Sequence, residues 1–172
     1  MRPTDDLINQ IFCSSKHRVK EFIYDHVVPK TSILPIILCK GPTGKTFQFK
    51  YNQRSDPTLM KELGMTLFNL CNIIPAGIIC FFNSYDYLKQ VYDFLNNEKF
   101  LEKIEKKKFI LCEPKGGSGS NVDTLLDKYS KSIRSSERSG ALLLSVVGGK
   151  LSEGLNFSDD LGRCVVVVGM PY

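Results

Sequence analysis

The chain has 172 residues, 42% of them hydrophobic, enough for one domain that buries roughly 70% of its unfolded-chain surface. Its 23 Lys and Arg against 18 Asp and Glu give a net charge of +5, which permits a nucleic-acid surface without demanding one. The N-terminus is charged and polar and no apolar run nears about eighteen residues, so neither a signal peptide nor a membrane span is expected, and no membrane partner.

In chain order, residues 5–12 carry Leu7, Ile8, Ile11 and Phe12 at helical spacing after Thr4 as a cap, and residues 16–25 extend that helix. Residues 33–39 and 47–51 read as strands. Between them, Lys40-Gly41-Pro42-Thr43-Gly44-Lys45-Thr46 imitates a phosphate-binding P-loop. That motif requires four residues between its glycines, and here two stand between Gly41 and Gly44. The missing length is what lets successive amides wrap phosphates before a lysine-bearing helix begins. The alternating Phe47-Gln48-Phe49-Lys50-Tyr51 that follows is no helix opening, so a Pro-Thr-Gly turn between strands is the reading.

Asp56-Pro57 opens a helix to about residue 71, with Leu59, Leu63, Leu67 and Leu70 as a core stripe. A strand over 77–82 runs into a helix over 85–96. Ser84 at that junction suits an N-cap worth on the order of 1 kcal/mol, and the same helix start suits a phosphate. Residues 102–108, Glu-Lys-Ile-Glu-Lys-Lys-Lys, read as a solvated helix end, because mixed signs dilute any field toward DNA. A strand over 107–112, a flexible Gly-Ser loop over 116–120, a helix over 122–133 and a polar connection to Gly140 follow. Residues 141–147 and 163–169 have the length and β-branched content of buried parallel strands. Strand and helix by turns argue an α/β fold with a parallel sheet covered by helices.

Between those last two strands lies Val147-Gly148-Gly149-Lys150-Leu151-Ser152-Glu153-Gly154-Leu155-Asn156-Phe157-Ser158-Asp159. Its glycines bare backbone amides, while Lys150, Ser152, Glu153 and Asn156 offer a cation, a hydroxyl, a carboxylate and an amide at a strand end, where ligands of open α/β sheets gather. That set suits a phosphorylated ligand; the plain alternative is an ordinary Gly-rich connection. The cysteines at 13, 39, 71, 80, 112 and 164 form no Cys-x-x-Cys pair and read as buried free thiols of a reducing compartment. His17 and His26 lack a second ligand at metal spacing, so no metal site is expected.

The segment Gly148 to Asp159 closely resembles motif V of the XPD-type iron–sulfur DNA helicases, a branch of superfamily 2. Ala76-Gly-Ile-Ile-Cys-Phe-Phe-Asn-Ser-Tyr-Asp-Tyr-Leu88 is similar to the same family's motif IV, and Cys164-Val-Val-Val-Val-Gly-Met-Pro-Tyr172 to the strand and Met-Pro turn after motif V. Met1-Arg2-Pro3-Thr4 resembles the end of motif III, which suggests that Met1 is internal to a longer protein. The branch linked to sister-chromatid cohesion is the nearest in pattern. The resemblance implies a RecA-like second motor domain over residues 32–172, incomplete at its C-terminus and truncated after motif V, with residues 1–31 as a linker helix region from the first motor domain.

It also implies roles. Glu153, Gly154 and Asn156 would face ATP, although many relatives have aspartate at the Asn156 position. Ser84, Tyr85, Lys150 and Ser152 would face single-stranded DNA, with simple solvation the alternative for Lys150. Gly149 and Arg54 are weaker candidates, and Arg54 could instead pair with Asp56. The chain lacks the P-loop, the Asp-Glu-Ala-His box and the arginine-finger segment, so no catalytic residue is expected in it and it is expected to be inactive alone. The whole protein would use ATP and Mg2+ with the first motor domain in cis, carry a 4Fe–4S cluster on cysteines outside this chain, and act in the nucleus in DNA repair and cohesion. A non-enzymatic DNA- or helicase-binding module is the alternative; a generic nucleotide-binding α/β protein explains the glycine loop but not motif IV or the Met-Pro ending.

Overall fold

The computed structural model describes residues 4–22, 24, 27–116, 119–151 and 157–170. The chain divides into two compact units, Met1–Ile37 and Leu38–Tyr172. In the first, a single turn α1 (Thr4–Asp6) passes into a π-helical turn Leu7–Ile11 and a 3-10 segment Cys13–Arg18. Thr4 does not cap this helix; it is the helix's first residue, and its hydroxyl donates to Glu21 at 2.7 Å. Nor does the helix run through residues 16–25: Val19 turns extended, and none of the described residues of this stretch is buried, so no packing holds it helical.

The second unit contains α2 (Pro57–Ile73), β1 (Ala76–Phe82), α3 (Tyr85–Asn97), α4 (Phe100–Glu105), β2 (Phe109–Cys112), α5 (Gly119–Arg134), β3 (Gly140–Val146) and β4 (Cys164–Val167). The strands pair in the order β2-β3-β1-β4, every pair parallel. Registers run Ala76 to Gly140 between β1 and β3, Ile78 to Cys164 between β1 and β4, and Phe109 to Ala141 between β2 and β3. Parallel neighbours need crossovers, and the helices supply them.

Both faces of the sheet are covered at its centre, which is why β3 is buried along its whole length and reads as an unbroken apolar run, whereas β4 alternates half-buried with exposed residues. Period-two geometry sends Ile78, Cys80 and Phe82 of β1 to one face, against Leu63 and Leu67 of α2, Leu88 and Val91 of α3 and Ile104 of α4. Ile79, Ala141 and Leu143 point to the other face, against Val122 and Tyr129 of α5 and Leu151. The expected leucine stripe is real: Leu59, Leu63 and Leu67 are buried and Leu70 packs at the margin of the core. Pro57 starts this helix behind Asp56, whose carboxylate accepts from the Thr58 amide at 2.8 Å.

Further sequence expectations need correction. Residues 33–39 and 47–51 are not strands; among the described residues the region holds one isolated antiparallel bridge, Lys40 to Thr46, closing the turn at Gly41–Gly44. The alternation in 47–51 is nonetheless obeyed: Phe47 and Phe49 pack on the core margin, stacked 5.3 Å apart, while Gln48 and Lys50 face out. A single extended chain laid on a core needs that pattern as much as a strand does. Helix α5 begins at Gly119, inside the expected loop 116–120.

Lys108 is not part of a solvated helix end but fully buried, its Nζ donating to Ala76 O at 2.9 Å and Ser139 O at 3.1 Å. Its neighbours Lys103, Lys106 and Lys107 are exposed. Of the thiols, Cys71 and Cys80 are buried and Cys112 and Cys164 half-buried, whereas Cys13 and Cys39 are exposed. Burial pushes the Cys71 thiol up to about 12 and raises Cys80 further. No helix among the described residues is long and apolar enough to cross a membrane.

Candidate functional site at the carboxyl ends of the strands

Three strands deliver polar residues to one edge of the sheet. β1 ends in Asn83, Ser84 and Tyr85, β2 in Glu113, and β3 in the turn Val147-Gly148-Gly149-Lys150. Backbone bonds continue the ladder into this edge: Val147 N donates to Phe82 O and Val168 N to Phe81 O, each at 2.9 Å. In parallel α/β sheets this is the edge at which ligands bind.

Ser84 is extended, with φ −160° and ψ 155°, and its hydroxyl accepts from the Tyr87 amide at 3.3 Å. It therefore caps α3, as its position before a helix demands. Beside it, Asp86 accepts from Lys115 at 2.8 Å, a hydrogen bond that lowers the carboxyl's pKa. Tyr85 at the start of α3 donates its hydroxyl to Glu113 Oε1 at 2.8 Å. Burial first, and that carboxylate second, push the phenol up to about 12.

The loop after β3 turns on Gly148, at φ +71°, where an L side chain would be strained, and the Gly149 amide closes the turn on Val146 O at 3.0 Å. Gly149 is buried, Lys150 is exposed, and Leu151 anchors the loop in the apolar layer beneath α5. Ser152, Glu153, Gly154 and Asn156 lie outside the described residues.

Arg54 stands apart from this loop, against the first turn of α3. Its guanidinium is 4.7 Å from the Tyr51 ring centroid and 4.8 Å from that of Tyr87, and the Tyr87 hydroxyl donates to Arg54 O at 3.1 Å. Asp56, the alternative partner, pairs with Lys45 at 3.1 Å instead. The structure thus gathers Ser84, Tyr85, Gly149 and Lys150 at one edge and sets Arg54 on the flank of the same helix.

Two residues at this edge escaped the sequence reading. Glu113 is buried and accepts from Tyr85, Ser145 and Val146. The signal was a lone acidic residue directly after an apolar strand, which carries no spacing motif. Asn83 donates through Nδ2 to Met170 O at 3.2 Å, while its Oδ1 is buried with no partner among the described residues.

An all-parallel sheet, helices on both faces and polar residues at the strands' carboxyl ends define a RecA-like α/β domain. Residues 67–172 match the model of the family described as helicase C-terminal domain. The chain belongs to that family, and the resemblance seen in its motifs IV and V agrees. It is 46% identical over 180 residues to the ATP-dependent DNA helicase DDX11 of Danio rerio and 48% identical to that of Mus musculus, matching all of this chain and 20% of each relative. To the ATP-dependent DNA helicase chl1 of Schizosaccharomyces pombe it is 38% identical, again over the whole chain and 20% of the relative. The chain spans about a fifth of the length of these curated relatives.

Proposed function

We propose that this chain is a large part of the second motor half of an ATP-dependent DNA helicase that couples ATP hydrolysis to strand separation, in a nuclear protein of DNA repair and sister-chromatid cohesion. Residues 32–172 belong to that half, as part of it, and residues 1–31 to the linker region from the first. The observation that carries the reading is the gathering of Ser84, Tyr85 and the Gly148–Lys150 turn at one sheet edge, in a chain of the helicase C-terminal family.

In this reading ATP and Mg2+ bind between the two halves. The first half supplies the P-loop and the magnesium carboxylates; this chain supplies Glu153, Gly154 and Asn156. Hydrolysis then depends on positioning and charge stabilisation across the cleft. Ser84, Tyr85, Lys150 and Ser152 meet the backbone of single-stranded DNA, a contact that is salt-sensitive and largely indifferent to sequence. A 4Fe–4S cluster needs four thiolates. Cys71 and Cys80 are packed in the core, Cys112 and Cys164 lie within strands, and no three metal-ligating side chains gather among the described residues. These residues do not fit a cluster, whose ligands belong to the first half in this reading.

The test compares the chain alone with the full-length protein for Mg2+-dependent ATP turnover and for binding of single-stranded DNA over a salt series. The chain alone is expected to show no turnover and weak, salt-sensitive binding, the full-length protein DNA-stimulated turnover that Lys150→Ala weakens. Turnover by the chain alone overturns the division of the site between two halves.

A further inference from the structure

Glu113 is a carboxylate taken out of water, and such a group is tolerable only when its oxygens are filled with donors. Three converge on it. The Tyr85 hydroxyl donates to Oε1 at 2.8 Å, the Ser145 hydroxyl to Oε2 at 2.6 Å and the Val146 amide to Oε2 at 3.2 Å. Its own amide donates to Leu144 O at 2.9 Å, fixing the residue to β3.

The donors come from separate parts of the edge. Tyr85 opens α3 after β1, while Ser145 and Val146 close β3 just before the Gly148-Gly149 turn. That turn comes down on the carboxylate: a Cβ at Gly149 would lie 2.8 Å from Oε1, 3.0 Å from Oε2 and 2.9 Å from Val146 O. Only glycine allows so close an approach. A second link joins the same segments, Lys115 to Asp86 at 2.8 Å, but both side chains are exposed and surface pairs of this kind hold little.

We propose that Glu113 is a positioning residue that locks the start of α3 to the Gly148-Gly149 turn after β3, so that movement of that turn with nucleotide occupancy is passed to the DNA-facing Ser84 and Tyr85. The inference rests on the proposed roles of Ser84 and Tyr85 toward DNA and of Glu153, Gly154 and Asn156, further along the sequence from that turn, toward nucleotide. Apolar packing alone does not fix Tyr85, which is half-buried; the hydroxyl-to-carboxylate bond sets its angle. Methionine at 113 has nearly the same length but no oxygen, so all three donors lose their acceptor; glutamine could keep every link, its oxygen accepting from Ser145 and Val146 while its amide donates to the Tyr85 hydroxyl.

The experiment measures base pairs unwound per ATP hydrolysed by the full-length protein. Glu113→Met is expected to lower that ratio at least about fivefold, the lower end of typical site-to-site coupling. Gly149→Ala, which presses a methyl against the carboxylate, is expected to lower it too, and Lys115→Ala to leave it as it is. A purely structural role would reduce turnover and unwinding together through loss of folded protein and leave the ratio unchanged. An unchanged ratio in Glu113→Met, or in Gly149→Ala should Glu113→Met fail to fold, overturns the inference while the helicase reading stands. A wild-type protein without DNA-stimulated turnover overturns both.

Discussion

Lys108 is a charged group in the middle of a packed edge, and its stability effect follows from what it touches. Burial lowers its pKa below the usual lysine value. The charged form is thus disfavoured by folding; this cost is complete below the folded pKa and is relieved as pH rises through it toward the ordinary value. Lys108→Met is expected to lack that alkaline rise. At neutral pH it leaves Ala76 O without this donor, since Ser139 O still accepts from the Ala76 amide, and should cost about 1–3 kcal/mol in a denaturant melt. Asp56 has the opposite sign. Its bonds from Thr58 and then Lys45 hold the carboxyl at about 2, down from 3.8, so its contribution is present above 3.8 and lost as pH falls toward 2. Acid unfolding curves of Asp56→Asn are expected to lack this part of the wild-type decline.

The turn at Gly41–Gly44 and helix α2 form one device. Buried Glu62 on α2 accepts from the Thr43 amide at 3.1 Å and from the Thr43 hydroxyl, and a Cβ at Gly41 would run into the Glu62 side chain. Glu62→Ala is expected to speed hydrogen exchange at the Thr43 amide about fivefold or more, as loss of a bond worth about 1 kcal/mol requires; the amides of β3 should not change. Elements of this kind mark where the sequence could be read and where it could not. Helices α2 and α3 and strands β1 and β3 were legible because their periodicity, caps and apolar runs are written within a few neighbouring residues. Glu62, Lys108 and Glu113 were not, because their partners are 19 or more residues away and each looks like an ordinary surface charge. The glycine-rich loop was legible by composition, yet its tie to Tyr85 appears only when β2 is set beside β3.

The sheet as a whole carries an exposed flank. β4 pairs with β1 alone among the described residues, and Val165 and Val167 are 56% and 46% exposed. Leu34 and Ile37, in the other unit, are 82% and 90% exposed. An open apolar edge of this type recruits other chains. The chain by itself is expected to self-associate as its concentration rises, and Val165→Lys with Val167→Lys to reduce that in sedimentation velocity. The strand order has a second effect, on synthesis at the ribosome. Among the described residues β1 pairs with β3 and β4 and β2 with β3 alone, so of these strands neither of the first two has a partner until β3 is made. β3 begins roughly 60 residues after β1, a delay of about 3–12 s at about 5–20 residues per second. Through that interval the apolar faces of α2 and α3 stand open beside an unpaired strand, which makes the nascent chain a natural client for chaperones that shield hydrophobic segments during translation.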